Sequence, residues 1–246
     1  MSAISAYRLT KQFRLPRTRG IVTALDEVSF TCENGMVYGL IGPNGSGKST
    51  CLRILAGLLN PSSGRVEFQT ESKDDGKTDS RRKAGFVSAS MEPYGEMTAW
   101  RFVQYCARMA KSDSSENRIS ETMGSVDALD YRERLCGELS TGMRRRVCIA
   151  GALVQDPAIM LLDEPTSGLD LLGRRDVVKL LETLKSLGKT VLFSTHIPDD
   201  IERSCDRVIV LVGGRILATG GPTELKAKTK SVTLEDAVLE LMQHDE

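Results

Sequence analysis

Net charge is missing: the 33 Lys and Arg residues are matched by 33 Asp and Glu. A chain so balanced exerts no global pull on nucleic acid or on an anionic bilayer, so no nucleic-acid partner is expected. Long apolar runs are missing too. None approaches the length that crosses a bilayer, and the N-terminus lacks a signal-peptide core. If the protein works at a membrane, another chain has to hold it there. The six cysteines (Cys32, Cys51, Cys106, Cys136, Cys148 and Cys205) form no C-x-x-C pair and no metal-ligand spacing. They read as reduced, mostly buried thiols of a cytoplasmic protein. What is present is a 246-residue chain, 40% apolar and 27% charged. That is enough for one substantial α/β domain with an inserted lobe.

The densest signal is Gly42-Pro43-Asn44-Gly45-Ser46-Gly47-Lys48-Ser49-Thr50, which reads G-x-x-x-x-G-K-S. The residues before it, Met36 to Ile41, are apolar and β-prone and predict a buried strand. After it, Leu52, Leu55 and Leu59, with Cys51, Ile54 and Leu58, fall at helical spacing that stops at Asn60-Pro61. Strand, glycine loop and helix form the context a phosphate-binding loop requires. Glycines let backbone N–H groups point inward around a polyphosphate, and the helix N-terminus adds about half a positive charge. Lys48 suits the β- and γ-phosphates, and the Ser49 hydroxyl suits Mg²⁺. The bland alternative is a chance glycine turn, which the flanking strand and helix argue against.

Taken in order, Ile4, Tyr7 and Leu9 fit one strand and Ala24 to Cys32 a second. Between them lies a basic loop from Arg14 to Gly20, read as a solvated turn. Phe13 precedes it and is either a packing residue or a platform for a purine base. Gly64 to Phe68 reads as a strand, Gln69 to Lys83 as a hydrophilic loop, and Gly85-Phe86-Val87 as a strand again. From 90 to 155 glycine is sparse. Phe102, Tyr105 and Met109, and later Val126 and Leu129, fall three and four apart, which predicts a helical lobe. Ser140 reads as an N-cap, with Met143, Val147, Ala150 and Val154 on one helical face. Arg144, Arg145 and Arg146 stand near that helix start. They oppose the dipole, so either an anion sits there or the three are simply solvated.

Ala158 to Leu162 is a wholly apolar run ending in Asp163-Glu164. A buried strand that delivers carboxylates at its C-terminal end is where α/β sheets place chemistry. Asp163 suits Mg²⁺, and Glu164 suits a general base. Thr190 to Thr195 is another buried strand and delivers His196. On the residues alone His196 reads as a hydrogen-bonded structural histidine more readily than as a catalytic one. Arg207 to Val212 and Arg215 to Ala218 predict a hairpin at Gly213-Gly214. Thr233 caps a last amphipathic helix carrying Leu234, Val238 and Leu241.

Together these stretches resemble the ATP-binding subunit of an ABC transporter, over nearly the whole chain and in the family's motif order. Gly42 to Thr50 resembles Walker A, and Met160 to Pro165 resembles Walker B with its catalytic Glu. Leu139-Ser140-Thr141-Gly142-Met143 resembles the signature motif Leu-Ser-Gly-Gly-Gln. Ser167-Gly168-Leu169-Asp170 resembles the D-loop, and His196 the switch histidine. The resemblance implies an α/β fold: a P-loop NTPase (RecA-like) parallel-sheet core, an N-terminal antiparallel β subdomain and an inserted α-helical subdomain. It implies one unit over 1–246, with a core of 1–87 and 156–222, a helical subdomain at 88–155 and a C-terminal helical segment at 223–246. Phe13 falls where the family keeps its adenine-stacking aromatic.

The resemblance further implies ATP and Mg²⁺ as cofactors, and head-to-tail pairing with a second ABC ATPase subunit, here a second copy. The signature of each chain would face the ATP held by its partner. An integral membrane permease would ride on the motion, with this chain peripheral on the cytoplasmic face. Thr141 and Met143 depart from the family's signature. A larger departure is Ala89, which falls at the Q-loop position where the family has Gln; Ala89 cannot ligate a metal. Ser88, Ser90 or a water then substitutes, and hydrolysis is expected to be slower or coupled differently. The Ser-Thr-Gly-Met signature and the missing Gln resemble the export subgroup that includes sodium- and drug-exporting members. Two alternatives stay open: a soluble ABC ATPase acting on ribosomes or DNA, and a weakly hydrolysing regulatory subunit.

Overall fold

The computed structural model describes residues 2–14, 20–68 and 84–243. Residues 15–19 of the basic loop, the whole hydrophilic segment (69–83) and His244 lie outside the described residues. Strands β1 (Ser2–Arg14) and β2 (Ile21–Glu33) form a long antiparallel hairpin. Strand β3 (Val37–Ile41) follows and enters a different sheet. Strand β4 (Ser63–Phe68) returns to the hairpin, giving a three-stranded antiparallel sheet in the order β2-β1-β4. Ile4 and Leu9 of β1 are fully buried, while Tyr7 of the same strand is exposed.

The central sheet holds β5 (Ala84–Val87), β6 (Ile159–Asp163), β7 (Thr190–Thr195), β3, β8 (Arg207–Val212) and β9 (Arg215–Gly220). Their order is β5-β6-β7-β3-β8-β9. The pairs β5–β6, β6–β7, β7–β3 and β3–β8 are parallel; β9 turns back antiparallel through Gly213-Gly214. Every residue of β3, β6 and β7 is buried. Such continuous apolar runs are what a sheet covered on both faces requires. Alternate residues serve two cores. Met160, Leu162, Val191 and Phe193 pack with the helical lobe. Ile159, Leu161 and Leu192 pack toward the antiparallel sheet and the first helix.

That first helix, α1 (Lys48–Leu55), is shorter than the apolar spacing predicts. It stops because Gly57 takes φ 70°. The Leu58 N–H then bonds the Arg53 carbonyl and the Gly57 N–H the Ile54 carbonyl, a Schellman end that glycine permits without Cβ strain. Leu58, expected on the helix, lies beyond it and is exposed.

The lobe between β5 and β6 contains α2 (Ala99–Met109), α3 (Glu116–Ser125), a 3₁₀ turn (Cys136–Glu138) and α4 (Thr141–Leu153). In α2 Phe102 is buried, but Met109 is 67% exposed, so the expected three-residue stripe does not hold to its end. Val126 and Leu129 lie just past α3 rather than on a helix. The remaining helices are α5 (Leu171–Ser186), α6 (Pro198–Ser204), α7 (Pro222–Thr229) and α8 (Leu234–Gln243). The first two are absent from the sequence reading. Thr233 caps α8 as predicted, its hydroxyl accepting from the Asp236 N–H at 3.1 Å. Among the described residues no helix is long and apolar enough to cross a membrane.

Candidate functional site

The loop Gly42–Thr50 leaves the C-terminal end of β3 and opens α1, as strand, loop and helix require. It is pressed between two hairpins. A Cβ at Gly42 would sit 1.9 Å from the Leu211 carbonyl oxygen, and one at Gly47 would sit 2.4 Å from that of Ala24. Gly47 also takes φ 105°, a conformation that L side chains rarely adopt. These glycines are there because backbone lies against backbone. Pro43, Asn44 and Gly45 are more open, and the Ser46 carbonyl accepts from the Gly214 N–H at 3.1 Å.

Lys48 is buried, and its ammonium donates to the carbonyls of Gly42 at 2.8 Å and Pro43 at 2.9 Å. Burial lowers its pKa below the ordinary lysine value, and the nearby carboxylates Glu164 and Asp163 oppose that shift. A buried cation in a glycine-rich loop at a helix N-terminus is chemically suited to an anion.

The second part of the site comes from the ends of β6 and β7. Asp163 is 1% exposed, a buried carboxylate at the end of its strand. Its Oδ1 accepts from the Ser49 hydroxyl at 3.0 Å and from the Ser194 hydroxyl at 2.7 Å. Ser49 and Asp163 thus converge as two hard oxygen donors, the kind Mg²⁺ takes, with the rest of its shell left to phosphate and water. Glu164 holds φ 47°, unusual outside glycine. His196 Nδ1 lies 3.6 Å from Glu164 Oε1, with both side chains partly open to solvent. The structure therefore gathers Lys48, Ser49, Asp163, Glu164 and His196 at one end of the parallel strands.

Phe13 stands on the β1–β2 hairpin opposite Val22, two residues from the Ala24 that backs Gly47. It is 40% exposed, and the Lys11 ammonium lies 5.1 Å from its ring centroid. This is an open aromatic face beside the loop rather than a core residue.

The Leu139–Met143 segment lies elsewhere. Ser140 caps α4, its hydroxyl accepting from the Met143 N–H at 3.3 Å. Leu139 is buried; Thr141 and Gly142 are open to solvent or partly so. An open groove of about 620 Å³ runs between this helix end and the Ser167–Asp170 segment. Ser140, Gly142, Met143, Gly168, Leu169 and Asp170 line it, and no residue of Gly42–Thr50 does. Asp170 also caps α5, accepting from the Gly173 N–H at 2.8 Å.

The three arginines after Met143 do not wait for an anion, nor are they simply solvated. Arg144 pairs with Glu92 at 2.8 Å, and Arg146 with Asp127 at 3.2 Å and Asp176 at 2.9 Å. Arg145 is 6% exposed and donates to the carbonyls of Ser88 at 2.9 Å and Ala89 at 3.0 Å. Each is consumed by the fold, which overturns the anion expectation. Ala89 itself is exposed, held through its carbonyl.

A family profile described as ABC transporter matches residues 25–167, from the strand behind the loop to the turn after Glu164. The chain belongs to the ABC transporter family. The ABC transporter ATP-binding protein NatA of Bacillus subtilis is 34% identical over 224 residues, covering 90% of this chain and 91% of NatA. The Nod factor export ATP-binding protein I of Neorhizobium galegae is 36% identical over 205 residues, covering 82% of this chain and 59% of that protein. The chain likewise spans only 58% and 62% of the length of two cyanobacterial relatives. Among solved structures, the dimeric post-hydrolysis state of the ATP-binding cassette MJ0796 bound to ADP and Pi superposes with a TM-score of 0.75. It is 29% identical and covers 89% of this chain and 98% of that one. The cassette fold expected from the sequence is thus the fold found.

Two groups of residues escaped the sequence reading. The apolar pattern predicts Ser194 only as part of a strand, yet its hydroxyl reaches Asp163. Buried Asp200 and Thr166 form a knot with the half-buried Arg174: Asp200 accepts from the Thr166 hydroxyl at 2.8 Å and from Arg174 at 2.8 Å. A serine following an apolar run, one residue before the strand's end, is the available signal for Ser194. Nothing in the spacing pointed to the knot.

Proposed function

We propose that the chain binds and hydrolyses Mg-ATP as one of two cassettes paired head to tail, and energises export through a separate membrane subunit. One observation carries the pairing: the groove at Ser140–Met143 and Ser167–Asp170 excludes the phosphate loop of its own chain. Each half of the nucleotide site is incomplete alone, and a second copy placed head to tail supplies the missing half. The dimeric MJ0796 cassette supports that arrangement.

In this reading Gly42–Thr50 cradles the phosphates, Lys48 neutralises the β- and γ-phosphates, and Phe13 stacks the base. Ser49 and Asp163 hold Mg²⁺, which supplies charge neutralisation on the phosphate oxygens. Glu164 takes a proton from the attacking water, and His196, 3.6 Å away, keeps Glu164 and the γ-phosphate in register. The Ser140 helix end closes the site in trans. The core is 1–87 with 156–222, the helical subdomain 88–155 and the C-terminal segment 223–246. Attachment to the cytoplasmic face of a membrane comes from the permease partner. Export rests on the likeness to a relative named for export and on the Ser140–Met143 signature.

Glu164→Gln tests the chemistry. Turnover should fall about 10²–10⁴-fold while ATP still binds; unaffected turnover removes Glu164 as the base. Affinity capture from detergent-solubilised native membranes tests the assignment to transport. Stoichiometric recovery of a polytopic membrane protein supports it, and recovery of ribosomal or DNA-repair components instead refutes it.

A further inference from the structure

Strand β7 is apolar through Val191, Leu192 and Phe193, and then buries a hydroxyl: Ser194 is 0% exposed. In the parallel register it lies beside Asp163 of β6. Its Oγ donates to Asp163 Oδ1 at 2.7 Å and accepts from the backbone N–H of Glu164 at 2.9 Å. One buried atom therefore touches the two consecutive residues on which the proposed chemistry depends. We propose that Ser194 is a positioning residue of the ATPase site, fixing the Asp163 carboxylate for the cation and the Glu164 backbone for proton abstraction. This rests on the reading of the site given above.

Two features distinguish this from ordinary hydroxyl burial. First, Asp163 Oδ1 accepts from both Ser194 and Ser49, so a chain of hydrogen bonds runs from β7 through β6 to the start of α1. When Ser49 serves a cation, Ser194 is the donor that remains to hold the carboxylate rotamer. Second, Glu164 sits at φ 47°, a conformation that persists only where the surroundings impose it. The Ser194 oxygen receives the N–H of that residue and so fixes the direction in which its side chain leaves the strand. Removing the hydroxyl takes the partner from the Glu164 N–H and frees the carboxylate on one side.

The experiment compares Ser194→Ala and Ser194→Cys with the unsubstituted chain. Cysteine nearly keeps the volume but is a weak donor, so it separates lost hydrogen bonding from lost packing. Three quantities are read: kcat and KM for ATP, Mn²⁺ affinity by electron paramagnetic resonance in a Glu164→Gln background, and binding of a fluorescent ATP analogue in EDTA. The expected result is a fall in kcat of about tenfold or more in both variants. KM and metal-free nucleotide binding should stay within about twofold, and Mn²⁺ half-saturation should rise several-fold. Folded variants with kcat and Mn²⁺ affinity within about twofold of the unsubstituted chain overturn the proposal. So does a parallel loss of metal-free nucleotide binding in the cysteine variant, which marks a packing role only. If the unsubstituted chain itself shows no turnover sensitive to Lys48→Ala, the ATPase reading fails first and takes this role with it. Turnover that requires Lys48 but ignores Ser194 fails the positioning role alone.

Discussion

Arg145 shows how one side chain can look like a ligand-binding group and be something else. Three consecutive arginines at a helix start invite an anion. Yet the Arg145 guanidinium is buried and ends on the carbonyls of Ser88 and Ala89. Its partners are 57 and 56 residues away in sequence and carry no side-chain signal, so no spacing rule could find them. Arg145→Gln should destabilise the fold by about 1.5–3 kcal/mol, measured by urea unfolding, because it removes the charged donors that hold the Ser88 and Ala89 carbonyls. Arg145→Lys should recover part of that, since an ammonium still donates but cannot span both oxygens in a planar fork. By contrast, Lys48, Asp163 and Glu164 were legible, because phosphate and metal chemistry restricts residue type at fixed spacing. Ser194 is half legible: the apolar run predicts the strand, but nothing in it marks the serine near its end as reaching Asp163.

At the scale of elements, the strands of the parallel sheet were the easiest to foresee. β3, β6 and β7 are buried on both faces and read as unbroken apolar runs. Helix ends were harder. The end of α1 depends on one glycine at φ 70°, and the apolar spacing continues past it into Leu58. Helix α5 was present in the pattern, through Val177, Leu180, Leu181 and Leu184. It is hidden because Asp170 both ends a motif and starts the helix. Asp170 does both, accepting from the Gly173 N–H while lining the groove opposite Ser140. Asp170→Ala should lower stability by about 1 kcal/mol in chemical unfolding through the lost cap. Asp170→Asn and Asp170→Ser preserve the cap, so a loss of ATP-driven pairing in either would report the groove role by itself.

On the proposed head-to-tail pairing, the whole molecule presents two half-sites rather than one site, and mixing variants tests that. Lys48→Ala spoils the phosphate loop, and Ser140→Arg blocks the groove. Each alone should lose turnover. An equimolar mixture should recover about a quarter of the normal activity, if mixed pairs form at random and each contains one intact composite site. No recovery would count against head-to-tail pairing. The thiols make a second prediction at this scale. All six cysteines are free. Burial pushes Cys51 and Cys148 up to about 12 and Cys106 to about 11, and raises Cys32, Cys136 and Cys205 as well. A raised thiol pKa keeps the unreactive protonated form, so a thiol reagent at pH 8 should be silent on the folded protein and count six in denaturant. Unfolded thiols ionise near 9, below the folded ones. The stability that burial of neutral thiols provides is therefore complete below pH 9 and lost as pH rises toward 12.

The grip of α4 on the segment leaving β5 sets a rule for anyone recombining such cassettes. Arg145 holds Ser88 and Ala89, the Cys148 thiol lies 3.5 Å from the Met91 carbonyl, and Arg144 pairs with Glu92. The helical lobe and residues 88–92 are thus one piece of hardware. A chimera cut after Glu92 would graft a foreign helix onto anchor points built for another. A graft whose upstream cut precedes Ser88 carries both halves of the clamp.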